Sequence, residues 1–504
     1  MASSQQTAAQ QSDHPLRIAF VASEVAPFAK TGGLADVASA LPAELGRRGH
    51  DVRLFMPLYP QIDFQGLGVE PVAVDFLHHV PVPMGEHVFH FTAFTAKLPG
   101  SSTDVYFIGC PALIDRDKLY TGEWDDHLRF GLLQRAALAC CQRMGWGPQI
   151  LHANDWHTGL LPLYLRSLYA WDHQLFGATK TVLTIHNIAY QGRFPAEVLH
   201  NLGLGQYAGL LHQEHLRDGW LSFLETGVLY ADAVTTVSRT YAREIQTPAF
   251  GEGLDGLLRE RSGTVVGIVN GVDVEVWNPA VDPHIPQTYD IDTVAEGKAA
   301  AREHLLREMG LFEAGPEVPV IGAVSRLTPQ KGFELTFDAM AEALRYLDVR
   351  YVVLGSGAGT LEQRFHELQA AFPGKMVFYR GYSEPLAHLI EAAADIFLMP
   401  SRFEPCGLNQ MYSLQYGTAP LVRKTGGLAD TVEQWNPATR QGTGFVFEHY
   451  DSAGFTWALR QALSAWGDRE GWAVLRRNGM ARDVSWRRQA RIYEALYERL
   501  VERG

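Results

Sequence analysis

The sequence predicts an α/β protein of at least two domains, built on parallel sheets with helices on both faces. Three observations carry this. Apolar strand-like runs alternate with helix-periodic segments along the chain, as strand–helix–strand crossovers require. The 504 residues exceed the size at which a single core keeps growing. The string Lys30-Thr31-Gly32-Gly33-Leu34-Ala35-Asp36 also returns at Lys424-Thr425-Gly426-Gly427-Leu428-Ala429-Asp430, each copy following a short apolar run.

Taken in order, 18–22 reads as a buried strand. The segment 34–48 is a helix, with Leu34, Val37, Ala38, Leu41 and Leu45 on one face. The first repeated string is therefore a glycine turn at a helix N-terminus. Glycine lacks a Cβ, so a ligand can approach its amides. Helix N-termini favour anions, and Lys30 adds a full positive charge. Two such turns suggest a phosphate-bearing ligand shared by two similar halves. A nucleotide P-loop is excluded, because no G-x-x-x-x-G-K-[ST] is present.

Strands follow at 52–56 and, as hairpin-like alternation, within 70–110. A helix spans 127–144. Short strands at 150–153, 181–185 and 233–238 follow, the first two running into Asn154-Asp155-Trp156-His157 and His186-Asn187. Open α/β sheets bind ligands at the carboxyl ends of strands, so these polar clusters are placed as a site would be. Residues 278–298 are rich in Pro, Asp and Thr with little apolar pattern, which reads as linker. The second half has strands at 319–324, 351–354, 376–379 and 396–399. The last helix, 486–500, has an apolar face (Trp486, Ala490, Tyr493, Leu496, Tyr497, Leu500) that must dock, with the first domain as candidate.

Arg326 and Lys331 share one loop at a strand's carboxyl end, which in an acidic chain favours phosphate binding over a merely solvated loop. Glu404 occupies the corresponding loop of a later strand. It reads equally as a first-turn carboxylate of the helix near Leu408 and as a group that contacts a sugar or stabilises a cationic sugar transition state. Cys406 has no base beside it and reads as packing. His152, Asp155 and His157 lack a standard metal-ligand spacing. Asp290-Ile-Asp292 resembles a metal-binding Asp-x-Asp but sits in the linker. Gly355-Ser-Gly-Ala-Gly359 suggests a dinucleotide turn, yet the next strand ends in Tyr379-Arg380-Gly381-Tyr382 without the acid that NAD requires. Tyr382 offers a surface on which a nucleobase can stack, although a lone Tyr is more often simply half-buried. No metal and no cofactor is expected.

The net charge of -13 argues against nucleic acid or an anionic membrane as partner. No apolar run is long enough to span a bilayer. Residues 1–15 are polar, without signal-peptide features, and read as a disordered tail. The four cysteines, Cys110, Cys140, Cys141 and Cys406, form neither ligand pairs nor a secreted framework, so a cytoplasmic location is expected. Oligomeric state is not encoded in any recognisable pattern.

Together, Lys30 to Asp36, Asn154-Asp-Trp-His157, His186-Asn187, Asn270-Gly-Val-Asp273, Arg326 with Lys331, Glu404-Pro-Cys-Gly407 and Thr425-Gly-Gly-Leu428 resemble the bacterial and plastid glycogen/starch synthases over almost the whole chain. The resemblance implies two Rossmann-like domains (the GT-B type) facing each other across a deep interdomain cleft. It divides the chain into an acceptor-side domain at 16–270, a hinge at 271–298, a donor-side domain at 299–484 and a terminal helix at 485–504. It implies retaining transfer of glucose from ADP-glucose to the non-reducing end of an α-1,4-glucan.

On the same resemblance, Lys30 and the Gly32 and Gly33 amides face the donor phosphates, with Asp36 a further donor contact. Arg326 and Lys331 hold the diphosphate, assisted by amides near Gly427 and Leu428. His186 and Glu404 contact the transferred glucose, Asp155 lies near the reacting centre, Tyr120 near the sugar, and Tyr382 under the adenine. Asn270, Cys406, Gly407, Leu408, Thr425 and Gly426 complete the substrate-binding set. Asn409 stands where Thr is usual, which bears on a minor donor contact. Three alternatives remain: a phosphorylase, for which no pyridoxal-phosphate lysine context is found; a catalytically silent glucan-binding protein; and transfer to a small acceptor.

Overall fold

A computed structural model of the chain describes residues 14–503; the tail expected over 1–15 falls almost wholly outside them. The chain divides into two compact units. The first comprises Met1–Val237, Ala242–Ile268 and Trp486–Gly504, the second Ser238–Tyr241 and Val269–Ser485.

The main sheet of the first unit has ten strands among the described residues. From one edge its order is Val265–Gly267, Ala233–Thr236, Lys180–Ile185, Ile150–Asn154, Arg17–Val21, Asp51–Pro57, Asp104–Gly109, His87–Lys97 and Val72–Ala73, with Val80–Met84 pairing to His87–Lys97. The first seven run parallel, and the hairpin strands of the 70–110 region add on antiparallel. The second sheet has six parallel strands in the order Met376–Arg380, Arg350–Gly357, Val320–Leu327, Ile396–Met399, Ala419–Arg423 and Phe445–Phe447. In both, the chain starts at a central strand, winds outward, then returns to the other side of that strand. This is the doubly wound Rossmann order, as expected for a two-domain GT-B protein. Its switch points lie between Arg17–Val21 and Ile150–Asn154, and between Val320–Leu327 and Ile396–Met399.

The strands read as continuous apolar runs because helices bury both faces. Ile18 to Val21 are fully buried, as are Val320, Ile321 and Ala323. The second unit has one core on each face of its sheet, one around Phe365, Phe378 and Trp472, the other around Ile390, Phe397 and Tyr416.

The segment 271–298, expected as a linker, belongs to the second unit and is packed. Trp277 stacks on His388 and Tyr412 with ring centroids 3.7 and 3.8 Å apart. Buried Asp282 accepts from the Tyr416 hydroxyl (2.5 Å) and pairs with His388 Nδ1 (2.8 Å). Buried Lys298 already lies within the helix Val294–Glu308 and donates to Ala392 O (2.8 Å) and Thr418 Oγ1 (2.7 Å). A few large side chains anchor a stretch whose composition looks unstructured.

The helix Trp486–Glu502 belongs to the first unit and packs on the helix Gly33–Arg47. Its buried Glu494 takes Arg48 Nε at 3.0 Å and contacts His50 Nε2 at 3.0 Å, while Tyr497 OH meets His152 Nδ1 at 2.6 Å. No helix among the described residues is long and apolar enough to cross a membrane.

Removing one member of a buried ion pair strands the other charge. Glu494→Ala, which leaves Arg48 buried and unpaired, is therefore expected to destabilise the first unit by about 3–5 kcal/mol. That lowers its thermal midpoint by on the order of 10 °C. An unchanged midpoint by calorimetry would contradict this role.

Candidate active site

In the first unit, the strand Arg17–Val21 runs out into Glu24, which is 3% exposed. Its carboxylate accepts from the Thr31 amide, from Thr31 Oγ1 at 2.7 Å and from the Tyr120 hydroxyl at 2.5 Å. Glu24 thus holds the first glycine turn against the strand end. A Cβ on Gly32, the N-cap of the helix Gly33–Arg47, would meet nothing within 4 Å, so this turn is open to a ligand. Lys30 Nζ pairs with Asp36 Oδ1 at 2.7 Å, both partly exposed. The half-buried Tyr120 ring stacks on His157 at 4.9 Å.

Across the switch point, Asp155 has φ 54° and ψ -173°, a region nearly exclusive to glycine and costly for any other residue, on the order of 1–3 kcal/mol. It is held there by its amide donating to Thr184 O (2.9 Å) and by its own Oδ1 accepting from the amides of His186 (2.7 Å) and Asn187 (3.3 Å). Oδ2 makes no hydrogen bond among the described residues. Burial drives the Asp155 carboxyl up to about 7, against those two amides and with a smaller push from Glu24.

His186, also buried, follows the neighbouring strand Lys180–Ile185. The Asn154 amide nitrogen donates to Val21 O (3.1 Å), which turns Asn154 Oδ1 toward His186 Nε2 (3.0 Å). That oxygen only accepts, so His186 carries its proton on Nε2 and offers Nδ1 as an acceptor. Burial lowers its pKa to about 3, so the ring is neutral at any working pH.

In the second unit, the strand Val320–Leu327 runs further than the sequence suggested and includes Arg326, whose exposed side chain has no carboxylate partner among the described residues. Lys331 follows, and its Nζ lies 2.7 Å from Oε2 of Glu404. Ser401 Oγ donates to the same oxygen at 2.9 Å, and Glu404 is 5% exposed. The two loops are stapled together: Arg402 N donates to Gln330 O (2.8 Å), and at Gly332 (φ 71°) a Cβ would strike Pro400 O.

The second glycine turn differs from the first. A Cβ on Gly426 (φ 45°) would collide with Glu404 O, and one on Gly427 with Cys406 O. The Gly427 amide, expected to assist a phosphate, donates instead to Glu404 O (3.1 Å) and Pro405 O (3.2 Å). These glycines set the Glu404 loop in place. Thr425 and Leu428 are fully buried, so Leu428 offers a ligand no side chain. The buried Cys406 thiol is pushed up to about 12 by burial and stays protonated.

Gly407, with φ 72°, and half-buried Leu408 lead into the helix Asn409–Gln415, whose Asn409 donates to Val324 O (3.0 Å). Asn270 is 4% exposed, with its Oδ1 lacking a hydrogen-bond partner. Tyr382, just beyond the strand Met376–Arg380, is 72% exposed. Asp290 of the Asp-x-Asp accepts from Thr293, and Asp292 pairs with Arg477 at 3.1 Å, so both serve local structure.

Sequence reasoning missed Glu24. The available signal was positional, a carboxylate just past the first strand. It also missed that Lys331 and Glu404, 73 residues apart, form one pair.

The chain matches two family models, starch synthase catalytic domain over residues 17–260 and glycosyl transferases group 1 over 312–475. It is 48% identical over 491 residues to the glycogen synthase of Anaeromyxobacter dehalogenans strain 2CP-1, covering 96% of this chain and 99% of that one. It is 43% identical over 506 residues to the glycogen synthase of Desulforudis audaxviator strain MP104C, covering 97% and 98%. Among solved structures it matches the catalytic domain of starch synthase IV from Arabidopsis thaliana bound to ADP and acarbose. There the TM-score is 0.89 at 33% identity, covering 97% of this chain and all of that one.

The Asp155 carboxyl keeps its proton to about 7 in the folded chain, against an ordinary value of 3.8. Between these values the folded state binds the extra proton, so this group's contribution to stability falls as pH rises. Asp155→Asn removes that titration. The stability of the variant relative to the parent is therefore expected to rise between about pH 4 and about pH 7.5, by up to about 4 kcal/mol. Chemical denaturation at the two pH values measures it, and a pH-independent difference would show that the carboxyl is already ionised.

Proposed function

The chain belongs to the glycogen synthase family of hexosyltransferases, and on that premise we propose that it transfers glucose from ADP-glucose to the non-reducing end of an α-1,4-glucan, with retention of configuration, in the cytoplasm. The observation that carries this reading is the buried Glu404 carboxylate bridged by Lys331 and Ser401 at a switch point. A cation and a carboxylate there suit a leaving diphosphate and a sugar gaining positive charge. The ADP bound to the solved starch synthase relative supports an adenine nucleotide, with Tyr382 as the stacking surface. The four cysteines, all free and buried, accord with a reducing compartment.

Nucleoside diphosphate is a good leaving group, so the reaction needs charge neutralisation more than a strong acid. Arg326 and Lys331 take the diphosphate in this reading, and Lys30 with the amides of Gly32 and Gly33 adds to them. On arrival of the donor, Lys331 is shared between Glu404 and phosphate, and Lys30 between Asp36 and phosphate. Neutral His186 is unsuited to donate a proton. Its Nδ1 accepts a glucose hydroxyl, and Asp155 Oδ2 takes another polar contact near the reacting carbon. Asn270, with an orphaned Oδ1, is a further acceptor. Attack from the leaving group's own face explains retention, with Glu404 stabilising an ion-pair-like sugar and forming no covalent bond.

Glucose incorporation into glycogen from ADP-glucose and UDP-glucose, side by side in EDTA, tests the donor and the metal-free mechanism. Strong incorporation from ADP-glucose is expected. A preference for UDP-glucose would overturn the donor assignment, and glycogen binding without transfer would favour the silent binder.

Glu404→Gln and Lys331→Ala are each expected to lower kcat by roughly 10²–10³. For Glu404→Gln the KM for donor should change only modestly; unchanged turnover would remove Glu404 from the mechanism.

A further inference from the structure

Within the first unit but outside the residues assigned above, His212, His215 and Glu225 each present one ligand atom, and the three atoms lie within 4.8 Å of one another. His212 immediately precedes the short helix Gln213–Arg217 that contains His215. The extended backbone of His212 still brings the two rings together, with centroids 4.2 Å apart. Glu225 comes from the first turn of another helix, Phe223–Tyr230, and is 3% exposed.

The donors are pre-oriented. The His215 ring stacks on Trp220 at 3.7 Å, and the Arg193 guanidinium lies 4.8 Å from the same indole. The Glu225 amide is capped by Ser222 Oγ at 3.1 Å. His215 Nδ1 already lies 2.8 Å from Glu225 Oε2. His212 Nδ1, by contrast, is buried with no hydrogen-bond partner. Buried polar atoms are nearly always satisfied, so this nitrogen calls for a partner that the protein atoms do not supply.

We propose that His212, His215 and Glu225 bind one divalent transition cation of the zinc class, with water completing the shell. Two imidazoles and one carboxylate suit zinc better than magnesium or calcium, which prefer all-oxygen sets. Tetrahedral zinc places its ligand atoms about 3.4 Å apart, which side-chain rotation reaches from the present spacing. The cation ties the Gln213–Arg217 turn to the helix Phe223–Tyr230. That helix in turn packs tightly on the turn after Asp155: a Cβ on Gly227 would lie 2.7 Å from Gly159 O. The bound metal is a structural staple, with no part in glucosyl transfer.

The test uses the full chain stripped with chelator, then titrated with Co²⁺ and back-titrated with Zn²⁺. One equivalent of cobalt is expected to give the visible absorption of a tetrahedral site, zinc to displace it, and zinc to raise the thermal midpoint. His212→Ala and Glu225→Gln should each weaken binding more than about 100-fold with the circular dichroism spectrum retained. His79→Ala, in the separate exposed stack of His79 on His90, should leave it unchanged. Absence of stoichiometric uptake, uptake that survives both site variants, or uptake lost in His79→Ala would overturn the proposal and leave His215 and Glu225 as a hydrogen-bonded pair only. The readout does not involve glucosyl transfer, so it stands or fails independently of the assigned reaction.

Discussion

The crevice in each half depends on the central strands of its sheet running parallel. Parallel neighbours need a crossover between them, so every strand-to-helix turn emerges on the same edge. Where the strand order reverses, two such turns diverge and leave a crevice. Glu24 and Asp155 flank one reversal, Lys331 and Glu404 the other. These residues are far apart in sequence and share no local motif. The sheet alone makes them neighbours within each unit.

Burial then decides their chemistry, and the three carboxylates are compensated differently. Glu24 is satisfied by hydroxyls and an amide, and so acts as scaffold for the glycine turn. Glu404 is satisfied by a cation and a hydroxyl, a pairing that an incoming anion can disturb. Asp155 has two main-chain amides and a strained backbone, and burial outweighs the amides. A charged group is costly to desolvate unless paired.

The fold was legible because parallel strands covered on both faces appear as uninterrupted Val, Ile, Leu and Phe runs. The glycine turns and polar clusters were legible from their positions after such runs. What stayed hidden depends on contacts between distant loops. The segment 271–298 looked like a linker because its packing rests on Trp277, Asp282 and Lys298 rather than on a periodic pattern. The two copies of Lys-Thr-Gly-Gly-Leu-Ala-Asp read alike. Yet Gly32 faces open space while Gly426 and Gly427 are pressed against the carbonyls of the Glu404 loop. One string therefore serves approach in one half and close packing in the other, a distinction that lies in the neighbours and not in the letters.

The return of the terminal helix to the first unit has a consequence for biosynthesis. Most of the second unit is one continuous stretch, Val269–Ser485, whereas the first unit lacks its helix Trp486–Glu502 until that whole stretch has been made. During synthesis, domains generally fold from the N-terminus as they emerge. Here the earlier-made unit must wait with Arg48, His50 and His152 lacking Glu494 and Tyr497, while the later-made one has almost its whole length in hand. The segment that follows the second unit thus acts as the latch on the first, and a chain broken off before Trp486 has its second half nearly complete and its first half unfinished.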